Sequence, residues 1–321
     1  MSIGSNAAGP QVDAAGPGRD GSRPRTGGRR GIRPTRGYRI FQVVNAIVLT
    51  GVVIVTLYPF VTIVARSLSE EAYIIAGQVN LVPRGFDLTA YRLVMSDAMF
   101  WTNYRNTVVY TVVATSISIV LTTCYAYVLS KPQLKGRGAL VGIAVFTMFF
   151  SGGLIPNYVL ITSLGMKNSI WAVVIPNAIN VFNLLVMKAF FESLPTELEE
   201  AAAVDGLNTY GTLWRIVLPL SKAVIATMVL FYAVSFWNSW FTAFLYLDQQ
   251  ELLPVTVYLR NLIAGATGAQ SAGGVADADA MQAAATLQSV TIVLTTLPIL
   301  AVYPFIQRYF VSGVMLGAVK G

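Results

Sequence analysis

Six stretches of the chain run apolar for about 20 residues or more: 40–65, 107–129, 139–163, 169–190, 222–246 and 287–306. A hydrocarbon layer about 30 Å thick is crossed by roughly 20 residues of helix. Within it every backbone polar group needs an internal partner, which a helix supplies. The pattern therefore predicts an all-α membrane protein with six transmembrane helices. The period-2 alternation of a membrane β-barrel is absent from the sequence. Pro59, Gly152, Gly153, Pro156, Pro176 and Pro298 fall inside the apolar stretches and predict bends. Neighbouring helices can satisfy the backbone groups that such residues free.

Composition supports this reading. The 321 residues are 55% hydrophobic and only 12% charged, about half the charge of an ordinary soluble domain. Residues 1–39 differ. They are rich in Gly, Pro, Ser and Arg and hold few large apolar side chains, so they read as a disordered basic tail. The net charge of +7 is concentrated there, not in a folded basic domain, which argues against nucleic-acid binding. Attraction to anionic lipid and orientation are the simplest roles for it. The run 40–65 is too long for a signal-peptide core and shows no clean cleavage site. The chain thus divides into a tail, 1–39, and a membrane domain, 40–321. The lone Cys124 lies in an apolar run and reads as a buried small hydrophobe.

Lys and Arg set the orientation. With the amino terminus inside, 16 of the 22 basic residues lie on the inner side or at inner helix ends. The short loop with Lys131, Lys135 and Arg137 is the clearest contributor. Both termini are then cytoplasmic. The two larger outer segments are 66–106, with the turn-like Val82-Pro83-Arg84-Gly85, and 247–286, whose Ala- and Gly-rich part, 261–285, reads as flexible.

One substantial charged island, 191–221, lies between spans on the inner side. Thr196 and Glu199 fit a capping box. Glu, Leu and Ala favour a short helix through Ala203. Gly206 can take a left-handed turn, and a second short helix from about Asn208 reaches Pro219, suited to the first turn of the next span. The product is a cytoplasmic helix–turn–helix. Within it, Glu200-Ala201-Ala202, Gly206, Ile216 and Leu218-Pro219 stand at the spacing of the EAA motif, and the chain resembles permeases of binding-protein-dependent ABC importers. The stretch from Ser151-Gly152-Gly153-Leu154-Ile155-Pro156 to Leu164-Gly165-Met166 resembles carbohydrate-importer permeases. So does the ending Tyr303-Pro304-Phe305 through Val311, with Gly313, Gly317 and Lys320-Gly321. The likeness is to the subgroup associated with oligosaccharides and lipoprotein-type binding proteins, and it covers about 38–321.

That resemblance implies a plasma-membrane permease with a coupling loop, in which Glu200, Ala201, Ala202, Asp205, Gly206, Ile216, Leu218 and Pro219 serve the contact with an ATPase. It implies a second permease subunit, two ATPase subunits carrying ATP and Mg, and an extracellular solute-binding lipoprotein. The chain itself has no phosphate-binding G-x-x-x-x-G-K-[ST] loop and no histidine. Histidine-based nucleophilic catalysis and histidine metal sites are excluded, so no cofactor is expected on this chain and catalysis belongs elsewhere. Polar groups inside spans are candidate solute contacts: Asn157 and Tyr158, then Asn177, Asn180 and Asn183, then Trp237, Asn238 and Trp240. With Phe241 and Phe244, the two tryptophans form an i, i+3, i+4, i+7 stripe on a continuous helix. Aromatic faces beside amides suit sugars. Asparagines that join helices and tryptophans at membrane interfaces are the bland alternative. An ion-coupled secondary transporter is the main rival, but no span carries a relay carboxylate. A membrane scaffold without transport is the other.

Overall fold

The computed structural model describes residues 36–271, 286–302 and 304. It divides into two units, Met1–Ile54 and Val55–Gly321. The tail up to residue 35, part of the Ala- and Gly-rich segment, and the carboxy-terminal ending apart from Pro304 lie outside the described residues. The described residues contain no strand, only one antiparallel bridge between Ser69 and Phe86.

The elements are α1 (Arg36–Ser67), α2 (Glu71–Ile75), α3 (Thr89–Ser96), α4 (Ala98–Ser130), α5 (Arg137–Phe149), α6 (Leu154–Ser163), α7 (Ile170–Val174), α8 (Val181–Glu192), α9 (Glu197–Val204), α10 (Thr209–Thr212), α11 (Leu218–Leu220), α12 (Lys222–Trp237), α13 (Phe241–Tyr246), α14 (Val255–Ser271) and α15 (Thr286–Val302). The first unit contributes the opening of α1, where Ile40, Phe41, Ile47 and Val53 are all exposed. That side-chain set suits lipid or a partner helix rather than water. Residues 36–39, assigned to the tail from the sequence, are helical.

Among the described residues, only α1 and α4 are single helices long and apolar enough to cross a membrane. Three helix pairs are bent, two of them within expected spans and the third just before one. α5 and α6 meet at 112° across Phe150–Gly153, where Gly153 takes φ +86°. α7 and α8 meet at 49° past Pro176. The α10–α11 segment meets α12 at 83° at Ser221. Two of the three bends therefore sit at residues that the sequence marked. Pro59 and Pro298, by contrast, lie inside continuous helices. The stretch expected to be loose, 261–285, is helical as far as Ser271.

The main core joins α4, α8 and α12 through Leu129, Leu184, Met187 and Met228, each fully buried. Truncating such a residue to Ala costs about 2–5 kcal/mol. The buried face of α4 is partly polar: Thr107, Thr111, Thr115, Ser118 and Thr122 recur at helical spacing. Small polar side chains let helices approach closely. Some also satisfy distant backbone. Asn106 Nδ2 donates to Glu251 O at 2.6 Å, Tyr110 OH to Leu252 O at 2.7 Å, and Val255 N–H donates to Thr107 Oγ1 at 2.8 Å. These bonds fix the 250–255 turn to α4.

Two loops on that side are also tied. Glu70 N–H donates to Gly85 O at 2.6 Å and Asp87 N–H to Leu68 O at 3.2 Å, closing 68–87 into a compact loop. Asn168, at φ +56°, accepts from Asp248 N–H at 2.6 Å through Oδ1 and donates its own N–H to Tyr246 O. Lys167 Nζ lies 2.8 Å from Asp248 Oδ2. That ammonium, with Asn168, holds the exposed Asp248 carboxyl below its ordinary range, and the carboxylate in turn raises Lys167.

Candidate functional site

The segment 193–221 forms two short helices around a tight turn. α9 ends in a Schellman arrangement: Leu207 N–H donates to Ala202 O at 2.9 Å and Gly206 N–H to Ala203 O at 3.1 Å. Gly206 takes φ +77°, the left-handed conformation that favours glycine. α10 is capped by Asn208, whose Oδ1 accepts from Gly211 N–H at 2.8 Å. The capping box at the start of α9 does not form. Thr196 already has helical backbone angles and makes no side-chain cap. Glu199 instead pairs with Lys131, in the turn after α4. An ion pair to a neighbouring element takes the carboxylate that the box would have used. The second short helix also differs from expectation. It passes through a π-helical turn, Leu213–Val217, and α11 before the chain bends at Ser221. Pro219 thus precedes the bend rather than opening α12.

This segment is anchored on one side and free on the other. Leu213 and Val217 insert into the α4–α8–α12 core. Lys131 pairs with Glu199 and lies 4.0 Å from the Tyr127 ring. Glu192, closing α8, is held by Arg137 and by Lys188 at 2.8 Å. Arg137 Nε also donates to Leu129 O at 2.7 Å, satisfying a carbonyl at the end of α4. Of the residues expected to form a contact, Glu200, Ala201, Asp205, Gly206 and Pro219 are exposed. Ile216 and Leu218 are half-buried, and Leu218 packs on the core. Ala202 is 1% exposed and faces this chain's own interior, so it does not offer a free surface. The outward face carries three large residues the sequence reading did not single out: Val204 (87% exposed), Tyr210 (77%) and Trp214 (69%).

The second feature is a cavity of about 990 Å³ lined by residues 176–183, by α12 from Leu230 onward, and by Ser239, Thr242 and Ile299. Two interruptions of helix frame it. One is the turn between α7 and α8, Ile175 to Asn180. The other is the Asn238–Trp240 break between α12 and α13. Discontinuous helices at membrane depth are tolerated where they line a cavity. Asn177, Asn180 and Asn183 all reach this wall, joined by Tyr232, Ser235, Ser239 and Thr242. Asn180 caps α8 by accepting from Asn183 N–H at 3.1 Å. Its own N–H donates to Tyr232 OH at 3.0 Å, and that hydroxyl lies 2.7 Å from Thr122 Oγ1. Tyr232 therefore knots α4, the α8 entrance and α12. Asn183 is 5% exposed, and no hydrogen bond among the described residues engages its side-chain amide. A neighbouring cavity of about 460 Å³ shares Pro176, Asn177 and Thr242 and adds Asn157 from α6.

The remaining candidates do not join this wall. The Trp and Phe stripe assumed a continuous helix, and the break after Trp237 dissolves it. Trp237 is buried, donates Nε1–H to Thr295 O at 3.1 Å and meets Tyr104 edge-on. Trp240 meets Phe241 edge-on and Phe244 at a tilt, beside Arg260. Asn238 returns its amide to Val234 O at 2.9 Å. Tyr158 stacks on Tyr246, their ring centroids 6.0 Å apart. Tyr232, Ser235, Ser239 and Thr242 were missed, although their spacing of three, four and three in an apolar stretch was a readable signal.

A scan against protein-family models finds no match. Individual relatives are informative. The chain is 42% identical to protein LplC of Bacillus subtilis (strain 168), over 89% of this chain and 97% of that one. It is 39% identical to the polygalacturonan/rhamnogalacturonan transport system permease protein YtcP of the same organism, over 88% of this chain and 99% of that one. Its fold matches a chain in the crystal structure of a bacterial ABC transporter involved in the import of the acidic polysaccharide alginate. There the TM-score is 0.78 and the identity 36%, over 86% of this chain and 98% of that one. The all-helical fold, the bent apolar helices around a polar cavity and these likenesses agree: the chain belongs to the permease family of ABC importers, membrane subunits that conduct transport while ATP hydrolysis resides on a separate ATPase.

Proposed function

We propose that this chain forms one half of the transmembrane pathway of an ATP-driven carbohydrate importer and that 191–221 is its coupling loop. The observation that carries the proposal is the pairing of two features in one chain. A polar cavity lies between two helix breaks, and a surface segment with EAA spacing is clamped to the same helices. In this reading the chain crosses the plasma membrane six times, with α5–α6 and α7–α8 as bent spans and both termini in the cytoplasm. The excess of Lys and Arg on the loop side supports that orientation. The functional assembly adds a second permease, two ATPases holding ATP and Mg, and an extracellular solute-binding lipoprotein.

Closing of the ATPase pair moves the two coupling loops and alternately exposes the cavity to either side. Glu200, Asp205, Val204, Tyr210 and Trp214 form the outward face for that contact, while Ala202, Leu213 and Val217 hold the loop to its own chain. Carbohydrate as solute is supported by the likeness to YtcP, a polygalacturonan/rhamnogalacturonan transport permease, and to the alginate transporter. The amide and hydroxyl lining of the cavity supports it independently. The test is reconstitution of the complete assembly in vesicles. Saccharide uptake that requires ATP and the binding protein is expected. Uptake driven by an ion gradient without ATPase subunits, or no flux at all, would overturn the proposal.

A further inference from the structure

We infer that the wall this chain contributes to the pathway is built for an uncharged stretch of glycan and not for a carboxylated one. The inference rests on the pathway reading above and specifies the solute class. Among the described residues, no Lys, Arg, Asp or Glu lines either of the two adjoining cavities. What lines them is bifunctional and neutral. Asn177, Asn180 and Asn183 carry both donors and acceptors, and Ser235, Ser239 and Thr242 carry hydroxyls that do the same. A sugar hydroxyl also donates and accepts, so each pairing can be completed either way round. Phe182, Phe231 and Phe236 add apolar faces for the ring carbons. The Asn183 side-chain amide makes no hydrogen bond among the described residues and lies on the cavity wall, so its donors and acceptor are free to meet a polar ligand there.

A uronate unit brings a full negative charge into the same space. A buried charge without a partner is strongly unfavourable. The positive end of α8 is the one element of this wall that could offset it, and a helix terminus supplies only about half a unit charge. That end is partly engaged: Asn183 N–H donates to Asn180 Oδ1, and the N–H of the capping Asn180 to Tyr232 OH. Three other cations of the chain have partners of their own. Arg260 lies against Phe244 and Trp240, Lys167 against Asp248, and Lys188 against Glu192. Relatives that handle acidic polysaccharides therefore do not set the solute class here.

The test uses the assembled transporter in membranes with this chain carrying Cys124→Ser and Ser235→Cys. The new thiol is reacted with neutral, anionic and cationic methanethiosulfonates (hydroxyethyl, sulfonatoethyl and trimethylammonioethyl), each rate divided by its rate with free cysteine. We expect the anionic reagent to be at least ten-fold slower than the neutral one. Vesicles carrying the unsubstituted chain should accumulate neutral tetrasaccharides from a panel of galacto-, xylo- and gluco-oligomers and exclude tetragalacturonate and tetramannuronate. An anionic reagent as fast as the neutral one, or ATP-dependent uptake of either uronate, overturns the inference and leaves the importer reading intact. A thiol inert to all three reagents, or no ATP-dependent uptake of any saccharide, overturns the pathway reading and the inference with it.

Discussion

Gly206 separates the strain of a turn from the demands of a partner. A Cβ built on Gly206 meets nothing within 4 Å of its own chain, so substitution there produces no internal clash. The internal penalty is conformational. At φ +77° a residue with a Cβ costs about 1–2 kcal/mol, and Asn tolerates this region best. Against a folding stability of about 5–15 kcal/mol that loss leaves the protein folded and abundant. Two orders of effect are then possible for Gly206→Ala, Gly206→Asn and Gly206→Leu. If backbone strain alone governs the loop, Asn is mildest and Ala and Leu are alike. If the turn enters a close-fitting cleft, side-chain volume governs, and the order of activity is Ala, then Asn, then Leu. The coupling-loop reading requires the second order, with uptake abolished in Gly206→Leu at unchanged membrane abundance. Uptake per unit of permease, and the amount of ATPase subunit that co-purifies with it, measure the ranking. The strain order, or wild-type uptake in Gly206→Leu, would refute the reasoning.

Three other perturbations probe the elements that hold the two sites. Tyr232→Phe removes one hydroxyl that serves both Thr122 and Asn180 N–H; each buried group left unpaired costs about 1–3 kcal/mol, so a lowered midpoint of thermal unfolding is expected, and an unchanged one would contradict the knot. Gly85→Ala places a Cβ 2.8 Å from both the Glu70 Cβ and the Tyr73 ring at φ +60°, so limited proteolysis should open the 66–88 loop in this variant and spare the unsubstituted chain. The Lys167–Asp248 pair should be pH-dependent in both directions. The carboxyl is held below its ordinary 3.8, so its contribution is complete above that value and disappears as pH falls through the lowered one. The ammonium is raised above its ordinary 10.5, so its contribution is complete below that value and disappears as pH rises through the raised one. The difference in thermal stability between wild type and Asp248→Asn should therefore be flat from about pH 5 to 9 and vanish in acid; a difference that grows on acidification would contradict the assignment.

Much of the architecture was legible because a bilayer leaves few alternatives. Apolar length located the helices, and glycine or proline marked two of the three bends. The features that escaped depend on contacts between distant segments. Thr196 and Glu199 have the spacing of a capping box, yet Lys131 lies 68 residues from Glu199 and takes its carboxylate. Trp237, Trp240, Phe241 and Phe244 have helical spacing, but spacing places them on one face only if the helix continues. It stops at Trp237, whose indole hydrogen-bonds α15. Ala202 looks as free as Ala201 in the sequence, and only the direction in which α9 lies against the body separates the buried residue from the exposed one. The asparagines at 177, 180 and 183 line one cavity although the helix breaks between them, because all three sit within one short segment.

The two proposed sites share their supporting helices, and this constrains how one can act on the other. α8 begins at the cavity, where Asn180 caps it, and ends at Glu192, held by Arg137 and Lys188 beside the loop. α12 begins one residue after the bend at Ser221 and ends at the cavity with Trp237. At 1.5 Å per residue their 12 and 16 residues span about 18 and 24 Å. Along that length they are packed through Leu184, Met187, Val224 and Met228, and at the far end the Asn180–Tyr232 bond ties them. Packed cores do not deform continuously, so a displacement of the loop moves the pair largely as one body. The compliant places are the irregular ones: the π-helical turn and the bend at Ser221, whose buried hydroxyl has no partner, at the near end, and the Asn238–Trp240 break at the far end. A push on the exposed face of the loop would therefore tilt both cavity walls together and be absorbed at these two joints. Stiffening either joint should uncouple ATP hydrolysis from uptake while leaving binding of the ATPase untouched.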